Sequence, residues 1–177
     1  MNENPFDPLT DRQFGGVLAE YATLREEILK RMELRNSIVF GTLTFAGVLL
    51  SFGLNTPTLA FIYIIISMFL AAAWVHSDVV ISELGCYIRE HLESPETGLN
   101  WETCRYENRL VEAKTKTFRP NIILSSGGVF LITQAVALIV AFVKYQGFAL
   151  LELILGGVAI LCMLLTMSLF WFSSRRN

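Results

Sequence analysis

The chain has 177 residues, carries a formal net charge of −2, and is 53% hydrophobic. A mean hydropathy of +0.50 is too high for a soluble domain of this size. The length excludes four membrane spans plus a separate soluble domain of ordinary size.

The N-terminus, Met1-Asn2-Glu3-Asn4-Pro5, is polar and acidic. It has neither the basic start nor the early apolar run of a signal peptide, so the first span is expected to act as an uncleaved insertion signal. Thr10-Asp11-Arg12-Gln13 fits a capping box and predicts a helix start. Phe14, Val17, Tyr21, Leu24, Ile28 and Met32 then recur at spacings of three and four, with Glu20, Glu27, Lys30 and Glu33 off that stripe. This is an amphipathic helix running to Arg35, with a bend expected near Arg35-Asn36-Ser37. Mixed charge on its polar face favours packing against protein over lying on a lipid surface.

No Asp, Glu, Lys or Arg occurs from Ser37 to Val75. None occurs from Pro120 to Val143, and Glu152 is the only one from Tyr145 to Ser174. A charge at the bilayer centre costs about 2.5–3.5 kcal/mol on the insertion scale, so such runs mark membrane spans. Span one is read as 37–54 and span two as 58–75, with Asn55-Thr56-Pro57 as the turn. Span three covers 121–143 and span four 148–172, joined by Lys144-Tyr145-Gln146-Gly147.

Between spans two and three, Ile81, Leu84, Ile88 and Leu92 extend the helix to about Glu93. Ser94-Pro95-Glu96-Thr97-Gly98 is a turn, and Asn100 is the expected N-cap of a second helix from Trp101 to about Phe118. Trp101, Cys104, Val111 and Phe118 form its apolar stripe, and Pro120 breaks the entry to span three. Of the 14 Lys and Arg, only Lys144 falls in the short links within the two span pairs. The positive-inside rule therefore places both termini and the middle hairpin in the cytoplasm. The expected fold is an all-α integral membrane protein of four transmembrane helices. Its segments are a cytoplasmic amphipathic helix (1–36), a transmembrane hairpin (37–75), a cytoplasmic helical hairpin (76–119) and a second transmembrane hairpin (120–177) with a short basic tail.

Ser37, Gly41, Thr44 and Ser51 lie on nearly one face of span one. Ser67 and Ala71, Ser125-Ser126-Gly127-Gly128, and Gly156-Gly157 put small residues in the other spans. Small faces let helices approach closely, and tight packing within the bundle is the first reading of each. The second reading is a pore lining of Ser37, Gly41, Thr44 and Ser51, joined by Gln134, the one amide deep in a span. Gln134 needs a Ser or Thr partner on a neighbouring helix, or a wet cavity. Glu152 is expected to snorkel or to pair with Lys144, and His76 lies beside Asp78 at the inner interface. Tyr87, Arg89, Leu99, Trp101 and Glu102 cluster at the hairpin tip as candidate assembly or partner contacts, with Trp101 as the anchor.

Cys86, Cys104 and Cys162 are scattered, so no disulfide framework follows. Cys86, His91 and Cys104 fit no zinc spacing, and neither a metal nor a cofactor is expected. No Ser-His-Asp set, HExxH or P-loop is present, so an enzyme is not expected. A lipid-modifying site at His76 and Asp78 is the weak alternative. Basic residues are interleaved with Glu20, Glu26, Glu27, Glu83, Glu90, Glu93, Glu102, Glu107 and Glu112, so no nucleic-acid surface emerges.

Glu20-Tyr21-x-x-Leu24-Arg25-x-Glu27-Ile28-x-x-Arg31-x-x-x-Arg35 leads into span one, and Tyr87-Ile88-Arg89-Glu90-x-Leu92-Glu93 with Gly98-Leu99-Asn100-Trp101-Glu102 forms the hairpin tip. With the hydropathy, these stretches resemble a group of small prokaryotic four-span membrane proteins. In layout they are also loosely similar to the SLATT-type membrane effectors of bacterial conflict systems. That resemblance implies assembly into pores, a bacterial inner-membrane location and a role in defence. The SLATT core has two spans where this chain reads as four, and no functional residue carries over. Two functions are therefore expected to compete. One is a homo-oligomeric pore or ion channel in the lipid bilayer. The other is a non-conducting anchor or sensor whose cytoplasmic hairpin docks a soluble protein.

Overall fold

The computed structural model describes residues 8–53, 57–94, 97–114, 122–144 and 150–176. These residues form five helices and no strand. The helices are α1 (Pro8–Gly53), α2 (Pro57–Tyr87, extended by a π-helical turn Ile88–Leu92), α3 (Trp101–Lys114), α4 (Ile122–Lys144) and α5 (Leu150–Arg176). Among the described residues, three stretches are long and apolar enough to cross a membrane: Phe14–Phe52, Thr58–Leu92 and Glu152–Ser173. A shorter apolar stretch is Gly127–Val143. This composition supports a membrane location. The chain divides into two compact units, one of residues 1–33 with 80–118 and the other of residues 34–79 with 119–177.

The first unit is built on the predicted stripe of α1. Val17, Tyr21, Leu24, Ile28 and Met32 pack with Ile81, Leu84, Ile88 and Leu92 of α2 and its π turn. Spacing of three and four puts each set on one side of its helix. Phe14, which the same pattern places on the stripe, is 43% exposed. The helix begins at Pro8, so Thr10 lies inside its first turn and not at the cap. Proline suits that first position, where its missing N–H has no partner to lose. Helical structure is continuous through Arg35-Asn36-Ser37.

The π turn ends with Glu93 N–H donating to the Ile88 carbonyl at 3.0 Å. Ser94 and Thr97 then close the turn, with Thr97 N–H donating to Ser94 O at 3.2 Å and Thr97 Oγ1 donating to Leu92 O at 3.1 Å. Gly98 takes φ 67°, the left-handed region that a β-carbon disfavours. Cys104 N–H donates to Asn100 O at 2.9 Å, so Asn100 does stand at the N-cap position of α3. The side chain that closes this helix end, however, belongs to Glu93. Its carboxylate accepts from the N–H groups of Glu102 and Thr103, both at 2.7 Å, and from the Thr103 hydroxyl at 2.8 Å. A carboxylate suits that position because the helix dipole is positive there.

The predicted apolar stripe of α3 turns outward. Trp101 is 57% and Val111 60% exposed, and Cys104 is exposed, while Glu102 is buried. Phe118, Pro120 and the turn residues Asn55 and Thr56 lie outside the described residues, as do residues 145–149 of the α4–α5 link.

In the second unit, α4 and α5 pack closely. Gly127 makes this contact: a β-carbon there would come within 2.9 Å of the Phe170 ring. Phe61, Tyr63, Ile64, Trp74 and Phe130 fill the interior at under 2% exposure. Trp74, Phe130 and Phe170 form an aromatic group, with Phe170 at 5.8 Å from Trp74 and 6.0 Å from Phe130 between ring centres. Little of α1 is enclosed here. Only 11% of its most apolar window is buried, against 39% for α2.

Candidate functional site

Gln134 is fully buried. It lies on α4 between Ser67 of α2 and Thr166 of α5. Its Nε2 donates to Thr166 Oγ1 at 3.1 Å and to Ser67 Oγ at 3.3 Å. Thr166 can accept because its own proton goes to the Cys162 carbonyl at 2.9 Å. The amide nitrogen thus ties three helices together, whereas the buried Oε1 has no hydrogen-bond partner among the described residues. These partners are the neighbouring Ser and Thr that the sequence asks for. Gln134 is enclosed inside the protomer, whereas Ser37, Thr44 and Ser51 of the span-one stripe with which it was grouped as a pore lining are exposed.

That stripe lies elsewhere than bundle packing requires. Ser37, Thr44 and Ser51 are exposed and Gly41 is half-buried, with open space where its β-carbon would be. The inward side of α1 is instead carried by Thr42 and Ala46, at 0% and 6% exposure. Packing against another span of the same protomer, the first reading of the stripe, is therefore corrected. Thr44 Oγ1 donates to Phe40 O at 2.9 Å and Ser51 Oγ to Gly47 O at 2.6 Å. Each hydroxyl spends its proton on the backbone and keeps its oxygen lone pairs for an acceptor role on the surface.

Arg35 and Asp78 form the principal ion pair of the second unit, Nη1 to Oδ1 at 2.6 Å, with both side chains under 20% exposed. The guanidinium also lies 5.4 Å from the centre of the Trp74 ring. His76 is exposed, and the Asp78 carboxylate is engaged by Arg35.

At the hairpin tip of the first unit, the structure gathers four of the five predicted residues into contacts. Glu102 Oε1 accepts from Arg25 Nη1 at 3.0 Å, and Arg105 approaches to 3.6 Å. The carboxylate fits over Gly85, where a β-carbon would meet it at 3.3 Å. Arg25 also lies 5.1 Å from the Trp101 ring centre. Tyr87 donates to Glu20 at 2.9 Å and stacks on His91. Arg89 sits 4.2 Å from the Tyr106 ring centre and bonds Glu90 and the Cys86 sulfur. Leu99 is half-buried in the turn. Sequence reading missed Gly85, Arg25 and Glu93 as members of this group. The bare Gly85 within a helical run was the available signal.

Electrostatics at the tip follows the contacts. The hydrogen bond to Glu90 pushes the Cys86 thiol up, and that bond in turn holds the Glu90 carboxyl below its ordinary range. The bond to Glu20 raises Tyr87, and burial raises Tyr21. Cys86, His91 and Cys104, weighed earlier as metal ligands, are each otherwise placed: Cys86 on Glu90, His91 against Tyr87, and Cys104 exposed beside Asn108. Among the described residues no three His, Cys, Asp or Glu side chains group as metal ligands.

The fold and these sites define an all-helical protein with helices fit to cross a membrane. Comparison with protein-family models, with curated proteins and with solved structures finds no match for the chain.

Proposed function

We propose that this chain spans the membrane four times and assembles as a ring of copies around a cation-conducting pore. Its termini and middle hairpin face the cytoplasm of a bacterial cell. The observation that carries the reading is the outward stripe of α1. Ser37, Thr44 and Ser51 stand exposed on the protomer while Thr42 and Ala46 take the inward side. Thr44 and Ser51 are two turns apart, about 10 Å along the helix. Their hydroxyl protons go to the backbone, so a ring of such stripes offers oxygen lone pairs to a passing ion. The filled interior leaves the axis between copies as the route. The resemblance to SLATT-type effectors agrees with an oligomeric pore used in defence.

Purified protein in planar bilayers is the test. Cation-selective conductance is expected, and Thr44→Leu should reduce it without dissociating the oligomer. A particle without an axial opening, silent at every voltage and pH tried, would replace the pore with the anchor reading. One observation favours that second reading. Trp101, Tyr106, Leu110 and Val111 of α3 are all exposed, in a segment of the chain rich in charge. Large apolar side chains there suit a protein contact.

A further inference from the structure

We propose that the second unit holds a buried structural water between Gln134 of α4 and Ser67 of α2. Both residues are fully buried, as is Thr166 of α5 beside them. Gln134 Nε2 gives its protons to Ser67 Oγ at 3.3 Å and to Thr166 Oγ1 at 3.1 Å. The Oε1 of the same amide accepts from no described residue. A buried acceptor of this kind is nearly always bonded, to protein or to an ordered water.

The neighbouring groups leave water as the partner that fits. Thr166 cannot serve Oε1, because its one proton goes to the Cys162 carbonyl at 2.9 Å. Turning the amide over would aim its N–H groups away from both hydroxyls, and so orphan two donors in place of one acceptor. Ser67 Oγ accepts from Nε2, and its own proton goes to no described residue. Nε2 and Oε1 share one carbon, so the Ser67 hydroxyl stands within one water's reach of Oε1. A water there accepts from Ser67 and donates to Oε1. It keeps its second proton for a helix carbonyl, which brings it to the three bonds typical of a buried water. A hard cation gathers about six oxygens, and this place offers one amide oxygen and two hydroxyls.

A second buried atom points the same way. The Tyr63 hydroxyl is fully enclosed and bonds no described residue. Tyr63 stands one turn from Ser67 on α2, and the core cluster around it includes Ala46, Ala60, Ala137, Ala141 and Ala159. Ala137 lies one turn from Gln134 on α4. The interior on this side of Gln134 is therefore walled by small side chains around another polar group in need of a partner.

Solid-state NMR of the full chain in lipid bilayers tests the site. With Gln13→Asn and Gln146→Asn, Gln134 is the only glutamine, and isotope-labelled glutamine reports on it alone. A cross-peak from water protons to the Gln134 side-chain amide is expected, at a mixing time too short for relay from the bilayer surface. Ser67→Val removes the hydroxyl and puts carbon in the place of the water, so the cross-peak should be lost. Thr166→Val removes a partner of Nε2 alone, so the cross-peak should stay. An unchanged helical spectrum and elution volume show that each variant keeps the fold. If Ser67→Val does not fold, the parent chain still decides: contacts to protein and acyl-chain protons without one to water would overturn the proposal. So would a water cross-peak that survives in a folded Ser67→Val. Neither outcome touches the pore reading, which rests on α1.

Discussion

Glu93 accepts from both the backbone N–H and the hydroxyl of Thr103, at 2.7 and 2.8 Å, and so closes a helix that starts eight residues after it. The residue owes its position to the π turn, whose last bond runs from Glu93 N–H to Ile88 O. A side chain distant in sequence does the work usually done by the residue at the cap itself.

Glu93→Ala should therefore destabilise α3 more than a change elsewhere on the hairpin. Loss of a capping side chain costs about 0.5–2 kcal/mol, and loss of a charged partner lies toward the upper end. Amide exchange should rise at Glu102 and Thr103, the two N–H groups it accepts from, with a lower melting temperature. Unchanged exchange at both amides would show that water replaces the carboxylate without loss.

Adjacent glycines in α4 offer a matched pair. A β-carbon at Gly127 would stand 2.9 Å from the Phe170 ring, whereas at Gly128 it would meet nothing within 4 Å. Gly127→Ala must displace a ring packed on Trp74 and Phe130, at a cost of about 1–3 kcal/mol. Gly128→Ala should be neutral or slightly stabilising, because alanine favours the helix by about 1 kcal/mol. Thermal unfolding of the two variants in detergent measures the difference, and equal effects would contradict the close approach of α4 and α5.

Which parts of this were legible depends on what signal each residue leaves. The stripe Val17, Tyr21, Leu24, Ile28 and Met32 was readable because its other side is polar, so burial alone explains the period. The apolar stretches were readable because charge is excluded from them. Gln134 was readable as a residue that needs partners, and Ser67 and Thr166 supply them to its Nε2. Hydropathy could not tell the inward Thr42 from the outward Thr44, since lipid and protein interior are equally apolar. The π turn at Ile88–Leu92 contains neither Gly nor Pro and left no mark. Trp101 looked like a buried anchor by size alone. Within the protomer it lies against Arg25 and stays 57% exposed, so its size alone does not say whether it packs the hairpin or anchors a contact with another protein.

The Cys86 thiol gives a chemical readout of the tip. Its hydrogen bond to Glu90, burial and the nearby carboxylate charge raise its pKa, while Arg89 opposes them. A raised thiol pKa means less thiolate at any pH below it, and only the thiolate alkylates. In a Cys104→Ser background, Glu90→Gln should speed iodoacetamide labelling of Cys86 severalfold at pH 8. The rate in the parent chain should climb further with pH than that of the variant. Equal rates would mean that Arg89 offsets Glu90 in solution.

Orientation can be decided by labelling in intact cells. With Lys144 the only basic residue in the short links of the span pairs, the charge pattern predicts that those links face outward and the hairpin inward. In a background with Cys86, Cys104 and Cys162 replaced by serine, cysteine at Thr56 or Gln146 should react with an impermeant maleimide. Thr97 is a poor reporter for the hairpin, because its hydroxyl bonds Leu92 O and Ser94 O and holds the turn. Asn108 is exposed on α3 and is the better site. Cysteine there should label only after the cells are permeabilised. Labelling at Asn108 in sealed cells, with protection at Thr56 and Gln146, would invert the orientation and move the exposed Trp101 and Val111 outside the cell. Labelling on opposite sides at Thr56 and Gln146 would instead show an odd number of crossings between them and remove the four-span reading.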